Sequence, residues 1–233
     1  MNTFTAPGRM AMHLSLLKPT SRRILFVLAM CCLLPGTTLA QSRDYQIEVL
    51  VFENLRPGSA PGATLYVPRL GNAISLTGDR AAALGFQQIE QPSMLIEHAE
   101  QIKSSGSYRL LRHIAWQQPG LDNSAARGIR INAGSSFKVH LPGDFRDHDR
   151  FVPVTLGPAF DGNSREIATT KLSGTIKVRL GRFLHLDTRL VFTDIDQRRS
   201  FRLEQSRKMR SRELHYIDNP RFGLLVRIIP LDT

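Results

Sequence analysis

The chain has 233 residues and a formal net charge of +11 at pH 7. This length accommodates one domain with a sizeable hydrophobic core, or two small ones. Both cysteines, Cys31 and Cys32, fall in an apolar segment near the N-terminus. If that segment is removed, the remaining chain has no thiol, which excludes thiol catalysis, iron–sulfur clusters and cysteine-based zinc sites.

The first 40 residues have the three parts of a secretory signal peptide. A basic flank without acidic residues precedes the apolar run 24–34, and Pro35-Gly36 and the small residues Thr38 and Ala40 follow it. The apolar run is too short for a transmembrane helix, which needs about 20 residues. We therefore expect cleavage after Ala40 and export of residues 41–233 to the periplasm, without a stable membrane span.

Export also changes the interpretation of the charge. Removal of four basic residues and no acidic ones lowers the formal net charge from +11 to +7. In a cytoplasmic protein this excess would indicate nucleic-acid binding, but an exported protein meets other polyanions. We expect no nucleic-acid partner, and we consider cell-wall carboxylates, lipopolysaccharide phosphates and acidic proteins instead.

The exported chain begins with a predicted strand over 45–53, in which apolar residues occupy both faces toward the end, as in a central strand. Residues 56–64 are rich in Pro, Gly and Ser and predict a loop. Residues 92–105 have the 3.6-residue period of an amphipathic helix, and 108–116 alternate as a strand. A further short strand is predicted near 128–132, and 144–165 is predicted to be a long loop.

Residues beyond 170 predict β-structure. The segments 171–180 and 183–193 flank Gly181-Arg182 and form a predicted hairpin, and 201–209 and 224–229 are two more strands. The strand–helix–strand order over 45–116 implies a right-handed crossover with parallel strands. We therefore predict a single α+β domain over 41–233, with a mostly antiparallel sheet, one β-α-β crossover near the N-terminus and C-terminal hairpins.

Two patterns suggest catalysis or metal binding. Ser135 to Lys138 form an S-x-x-K string, but the K-T-G and S-D-N motifs that accompany it in penicillin-binding enzymes are missing. We interpret it as a turn leading into a strand. An acidic cluster in the predicted long loop supplies hard ligands, but its spacing is not that of a calcium loop. We expect no catalytic residues, no cofactor and no metal. The cluster comprises Asp144, Asp147, His148 and Asp149.

The strongest charge feature is the run 198–212, in which seven basic residues accompany one acid, Glu204. On a strand, Arg202, Lys208 and Arg210 lie opposite the apolar face, whereas Arg207 shares that face with Phe201, Leu203 and Met209. Guanidinium groups pair well with carboxylates and phosphates. A solubilising face, or Arg stems packed across the sheet, is the alternative. The predicted binding residues are Arg202, Lys208, Arg210, Arg212 and Tyr216.

The segment from Arg207 to Gly223 also carries a resemblance. Its string R-x-M-R-S-x-E-L-H-Y-I-D-N-P-x-F-G, together with YQIEVLVF from Tyr45 and YRLLRHIAW from Tyr108, resembles the CsiV family of periplasmic peptidoglycan-binding proteins. The resemblance implies a non-enzymatic protein that binds peptidoglycan and supports cell-wall synthesis. It also implies action with an outer-membrane lipoprotein activator of a bifunctional peptidoglycan synthase. It assigns no residue to glycan contact.

Several alternatives stay open at this point. The protein is a peptidoglycan-binding protein, an envelope adaptor that touches glycan little or not at all, or an uncharacterised hydrolase or metal enzyme. The string from Arg207 to Gly223 contains the turn residues Asp218-Asn219-Pro220, so it is either a surface site or a structural staple. The rings of Tyr216 and Trp116 are further candidates for contact with sugars.

The signal-peptide interpretation predicts that the exported protein begins at Gln41, because Thr38 and Ala40 supply the small residues that a cleavage site needs. Mass spectrometry of protein recovered from the periplasm measures this directly. A product that retains 24–34, or one that is lipidated at Cys31 or Cys32, would contradict the prediction.

Overall fold

In the computed structural model, residues 43–57, 64–144, 149–157 and 162–231 are described. The predicted signal peptide, its cleavage site, and Asp147 and His148 of the acidic cluster lie outside these residues. The described part is mostly antiparallel β-sheet with two short helices. In chain order the elements are β1 (Asp44–Asn54), β2 (Tyr66–Pro68), α1 (Asp79–Ala83), β3 (Gln87–Ile89), α2 (Ile96–Ser104), β4 (Tyr108–Pro119), β5 (Ile129–Leu141), β6 (Phe151–Pro153), β7 (Arg165–Leu180), β8 (Leu184–Asp194), β9 (Arg199–Met209), β10 (Leu214–Asp218) and β11 (Phe222–Pro230).

Two antiparallel sheets enclose the main core. One has the strand order β10-β11-β1-β4-β3 and the other the order β5-β7-β8-β9. Alternate residues of each strand face the opposite sheet, so Val49 and Val51 of β1 share a buried cluster with Leu190 and Phe192 of β8. A small sheet of β2 and β6 packs with the second half of β5 around a separate cluster.

Strand β1 is buried on both faces, as its apolar pattern predicts. Leu50 and Phe52 point away from the main core and pack against Leu95, Ala99 and Ile102 at the start and along the length of α2. The predicted helix over 92–105 is thus confirmed as Ile96–Ser104, and its apolar stripe covers the outer face of the five-stranded sheet.

The mostly antiparallel sheet and the C-terminal hairpins are confirmed. Strand β7 pairs with β8 and β8 pairs with β9, both antiparallel. The parallel β-α-β crossover is wrong, because β1 and β4 are antiparallel neighbours. The chain between them is not a single crossover helix, since it also contains β2, α1 and β3. These elements have three to five residues each, too short to produce a readable period. Strand β6 likewise lies within the segment predicted to be a loop.

Glu48 of β1 is fully buried on the face of the sheet that α2 covers, and it caps this helix. Helix α2 has no side-chain cap at its own N-terminus. Instead, the backbone N–H groups of Met94 and Leu95 donate to the Glu48 carboxylate at 2.9 and 2.8 Å, and His113 Nε2 lies 2.7 Å from Glu48 Oε1. The carboxylate therefore satisfies donors that a helix N-terminus leaves free, and it sits at the favourable end of the helix dipole.

Gly174 allows β7 and β8 to approach closely. Its φ is +149°, and a Cβ atom would overlap the carbonyl oxygen of Arg189 and crowd Leu190. Only glycine accommodates this contact without displacing the backbone of β8. The position lies on β7, an inner strand of the four-stranded sheet.

Substitution of Glu48 tests this tertiary cap. We expect Glu48→Ala to lower the free energy of unfolding by about 3–5 kcal/mol, because it leaves a histidine, a buried N–H donor and a partly buried N–H donor without their partner. Urea denaturation of the exported chain measures the change. Glu97→Ala, which removes an exposed acid from the first turn of the same helix, should cost about 1 kcal/mol or less. Equal losses in the two variants would show that the buried contacts are not what stabilises the helix.

Candidate functional site

A segment of chain crosses the outer face of the four-stranded sheet. We call residues 66–74 the strap. The strap contacts β9 first, then β8, then β5. At β9, the backbone N–H of Tyr66 donates to Ser200 Oγ at 3.0 Å. Arg189 Nη1 on β8 donates to the carbonyl of Arg69 at 3.5 Å, and Arg130 Nε on β5 donates to the carbonyl of Ala73 at 3.1 Å. Strap carbonyls are therefore held by arginines of the sheet, and the strap divides the sheet surface into two parts.

On one side of the strap lies a cavity of about 410 Å³, which we call the charged cleft. The strap residues Leu70 to Ala73 form one wall, and the outward-facing side chains of β7, β8 and β9 form the floor. The charged residues that line it are Arg150, Lys177, Asp187, Arg189 and Glu204.

Each carboxylate of the charged cleft is shared between two cations. Asp187 lies 2.8 Å from Arg179 Nε and 3.7 Å from Lys177 Nζ. Glu204 lies 2.7 Å from Arg150 Nη1 and 3.6 Å from Arg189 Nε. Among the described residues in and beside the cleft, four cations thus face two carboxylates. The surplus of positive charge favours an anionic ligand.

Asp187 is held in its ionised form. Burial opposes ionisation, but hydrogen bonds from Arg179 and Ser206 and the charges of Arg179 and Lys177 outweigh it, so the pKa of this carboxyl is lowered. The Ser206 hydroxyl donates to Asp187 at 2.6 Å. These bonds fix the cationic side chains in place before any ligand arrives, which reduces the entropy lost on binding.

Two of the residues predicted from the sequence flank this cleft. Arg202 and Lys208 are exposed on the outer side of β9, and Glu204 and Ser206 between them line the cleft. Arg202 and Lys208 thus lie at opposite ends of a row about 20 Å long. The Arg202 guanidinium lies 4.5 Å from the centre of the Tyr66 ring, and Lys208 Nζ lies 3.2 Å from the centre of the Phe183 ring. Both cations are therefore oriented by aromatic rings.

Arg210 and Arg212 follow β9 and do not line the cleft. Arg210 Nη1 lies 3.5 Å from Glu213 Oε1, and Arg212 has a φ of +68° while its N–H donates to the carbonyl of Ile228 at 2.7 Å. Arg207 has the strand parity of the apolar face but is exposed. Its Nη1 donates to the carbonyl of Tyr216 on β10 of the other sheet at 2.7 Å.

Tyr216 belongs to a different surface, on the five-stranded sheet. Its ring stacks on Phe52 with centroids 6.3 Å apart, and Phe52 meets Tyr108 edge to face at 5.3 Å. We call Phe52, Tyr108 and Tyr216 the aromatic patch. A Cβ atom at Gly223 would lie within 3 Å of both Phe52 and Tyr216, so glycine is needed beneath the stack. Tyr216 and Tyr108 are 47% and 40% exposed.

The Tyr216 hydroxyl is part of a local hydrogen bond. It donates to Asp218 Oδ1 at 2.6 Å. Partial burial, this hydrogen bond and the negative charge of Asp218 raise the pKa of the phenol. The tyrosine therefore stays protonated and presents a neutral ring face. Trp116, the other candidate for contact with a sugar, is fully buried and donates to Gln118 Oε1 at 2.9 Å, so that hypothesis is wrong.

The string from Arg207 to Gly223 connects the two sheets. Besides the Arg207 contact, Asn219 Nδ2 donates to the carbonyl of Arg202 at 3.2 Å, and Arg221 Nη2 donates to Asp194 Oδ2 at 2.6 Å. The turn between β10 and β11 is thereby fastened to β8 and β9. These contacts give the string a structural role, while Arg210, Arg212 and Tyr216 leave part of it at the surface.

The S-x-x-K string lies on β5 at a bulge and lacks the properties of a catalytic pair. Lys138 Nζ lies 2.8 Å from Glu166 Oε1, and this hydrogen bond raises the pKa of the lysine. A lysine acting as a base needs a lowered pKa instead. Within the described residues, no group of three His, Cys, Asp or Glu side chains is arranged to hold a metal ion, and none of the described helices is long and apolar enough to cross a membrane.

The sequence prediction missed most of the charged cleft, including Arg150, Lys177, Asp187 and Arg189. The signal was present in part: Lys177 alternates with the apolar residues Ile176 and Val178, which places it on the outer face. The predicted two-residue turn at Gly181-Arg182 would have paired Lys177 with Leu186, whereas in the structure Leu180 pairs with Leu184 and Lys177 with Asp187. The strap contacts, by contrast, join residues more than 50 positions apart, and no local pattern reports them.

Comparison with known proteins identifies a family. A search of the curated proteins and a search of the solved structures found no match. The family model described as "Peptidoglycan-binding protein, CsiV" matches residues 24–231. Since this match covers most of the chain, the protein belongs to the CsiV family of peptidoglycan-binding proteins.

Proposed function

We propose that this protein is a non-catalytic, periplasmic peptidoglycan-binding protein, and that its charged cleft binds the peptide stems of the wall. The observation that carries this proposal is the arrangement of four cations around two carboxylates in a cavity of about 410 Å³. The cavity has the size of a ligand site. Its surplus of positive charge suits the stem-peptide carboxylates.

The charged cleft contains both cations and carboxylates, which suits a ligand that carries both signs of charge. Peptide stems carry carboxylates and, where they contain a free diamino acid, an ammonium group. The cations of the cleft can pair with the former and Asp187 or Glu204 with the latter. Guanidinium groups bind carboxylates in bidentate geometry, and those of Arg179 and Arg150 are already held by hydrogen bonds at 2.8 and 2.7 Å. Such preorganised polar groups favour a specific ligand over a general polyanion.

The ion pairs and shifted pKa values of the candidate catalytic groups support a non-catalytic function. Lys138 is paired with Glu166, and the raised pKa of its ammonium group opposes a role as a base. Asp187 and Glu204 are each engaged by two cations, and the lowered pKa of Asp187 opposes a role as a general acid near neutral pH.

We also propose that the protein acts with an outer-membrane lipoprotein activator of a peptidoglycan synthase, as the family resemblance implies. The aromatic patch supports a protein contact, since exposed tyrosines are favoured at interfaces and Tyr108 and Tyr216 lie on a sheet separate from the charged cleft. The same observation favours the adaptor hypothesis, in which this patch is the main binding surface and glycan binding is weak.

Sacculus pull-down of the exported chain tests the role of the cleft. We expect Arg150→Gln/Lys177→Gln to weaken binding about tenfold, or ~1.4 kcal/mol, through loss of two carboxylate partners. Stability should change little, since exposed ion pairs contribute about 0–1 kcal/mol each. The matched control Arg56→Gln/Arg80→Gln removes the same charge from exposed positions outside the cleft and should bind like the parent.

Three outcomes would contradict the proposal. Equal weakening of both double variants would mean that net charge alone attracts the protein to the wall. Release of soluble muropeptides during the pull-down would contradict the non-catalytic role. Undiminished sacculus binding by the cleft variant would remove the cleft from the site and favour the adaptor hypothesis.

The cations predicted from the sequence give a second test. We expect Arg202→Gln/Lys208→Gln/Arg210→Gln to weaken sacculus binding less than the cleft variant does, because Arg202 and Lys208 only flank the cleft and Arg210 lies outside it. Binding by the parent should also fall as salt rises, because exposed charges are screened beyond about 10 Å at 0.1 M ionic strength. Pull-down over a salt series measures both effects, and binding that is insensitive to salt would contradict an electrostatic site.

A further inference from the structure

A second cavity, of about 340 Å³, lies across the strap from the charged cleft. Leu70 of the strap lines both cavities. On β7, Ser173 lines the second cavity and Thr175, two residues further, lines the charged cleft. The two cavities are therefore neighbouring parts of one surface, separated only by the width of the strap.

The chemistry of this second cavity differs from that of the charged cleft, and we call it the hydroxyl cleft. Arg130 is the one charged side chain among the described residues that line it. The rest of the polar lining consists of an amide and four hydroxyls, and Val67, Pro68 and Ile167 add apolar surface. The polar groups belong to Asn132, Ser136, Thr169, Thr170 and Ser173.

Most of these hydroxyls present acceptors rather than donors. Thr170 Oγ1 donates to the carbonyl of Leu172 at 2.7 Å, Ser136 Oγ donates to the carbonyl of Thr169 at 3.2 Å, and Thr169 Oγ1 donates to Ser173 Oγ at 3.4 Å. Since a hydroxyl has one proton and two lone pairs, these groups can still accept hydrogen bonds from a ligand. The matching ligand is rich in O–H and N–H donors.

Asn132 adds a side-chain amide, which can donate as well as accept hydrogen bonds. It is exposed on β5, and its side-chain amide forms no hydrogen bond within the described part of the chain. A primary amide offers both an acceptor oxygen and N–H donors. It can therefore accept a hydrogen bond from an N–H group of a ligand or donate one to a ligand carbonyl.

We propose that the hydroxyl cleft binds an N-acetylated hexosamine of the glycan strand. The acetamido group pairs with the Asn132 amide, the ring hydroxyls donate to the threonine and serine oxygens, and the apolar face of the sugar lies against Val67, Pro68 and Ile167. This inference rests on the proposed function, and it makes the strap the divider between a sugar subsite and a peptide subsite.

The dimensions allow one sugar–peptide unit to occupy both clefts. Ser173 and Thr175 are two strand residues apart, or about 7 Å, and Lys177 lies a further two residues along the same strand. An extended peptide covers up to about 3.5 Å per residue. A stem of three or four residues that starts from a sugar in the hydroxyl cleft thus reaches the cations of the charged cleft.

Nuclear magnetic resonance titration of the exported chain tests the two subsites separately. The probes are tetra-N-acetylglucosamine, which has no peptide, and a stem pentapeptide, which has no sugar. We expect the tetrasaccharide to shift the backbone amide signals of Asn132 and of 169–173. The pentapeptide should instead shift those of Lys177, Arg189 and 204–206.

Variants of β5 provide the control. We expect Asn132→Leu to weaken tetrasaccharide binding about tenfold and to leave pentapeptide binding unchanged. Ser135→Leu places the same side chain on the same strand at an exposed residue that does not line the cleft, and it should bind both probes like the parent. Asn132→Ala serves the same purpose if the leucine variant does not fold.

The outcomes separate this inference from the proposed function. If sacculi and the pentapeptide still bind but the tetrasaccharide leaves the hydroxyl cleft unshifted, the sugar subsite is wrong and the peptide subsite stands. Shifts at Tyr108 and Tyr216 instead would move the sugar contact to the aromatic patch and overturn the inference. If neither probe nor sacculi bind, the proposed function fails with it.

Discussion

The architecture depends on the burial of β1 on both of its faces. This strand alternates between side chains that face the second sheet, such as Val49 and Val51, and side chains that face α2, such as Leu50 and Phe52. Both faces must be covered, because leaving either exposed to water would forfeit the hydrophobic free energy that its burial contributes to folding. The four-stranded sheet covers one face and α2 the other. The outer face of the four-stranded sheet is then the surface left available for polar side chains.

A buried charge fixes how α2 meets β1. Glu48 interrupts the apolar face that α2 covers, and a buried carboxylate is tolerated only when its oxygens are hydrogen-bonded. The N–H groups of Met94 and Leu95 and the ring of His113 provide those bonds, so the helix has one favourable position along the strand. Arg227 of β11 also donates to the carbonyl of Met94 at 3.2 Å, which ties a third strand to the same point.

Sequence patterns predicted those features of the fold that depend on interactions between residues close together in the chain. The period of residues 92–105, the turn at Gly181-Arg182 and the outward position of Arg202 and Lys208 follow from side-chain alternation and turn chemistry. The direction of β4 relative to β1 does not, because it depends on the path of the intervening chain and on elements of three to five residues. The burial of Trp116, the tertiary cap by Glu48 and the strap contacts likewise join distant residues. Because the arrangement of distant strands could not be predicted, the predicted binding residues turn out to lie on two different sheets: Arg202 and Lys208 on one and Tyr216 on the other.

The contacts made by Arg207 and Asn219 have a consequence for solubility. Strands β9 and β10 are edge strands of their sheets, and an unpaired edge offers its carbonyl groups to any passing strand. The guanidinium of Arg207 occupies the carbonyl of Tyr216 on one edge, and the amide of Asn219 occupies the carbonyl of Arg202 on the other. Each edge thus has an acceptor already engaged and charged side chains beside it. Side chains of the segment from Arg207 to Gly223 therefore protect one edge of each sheet against strand addition by a second copy.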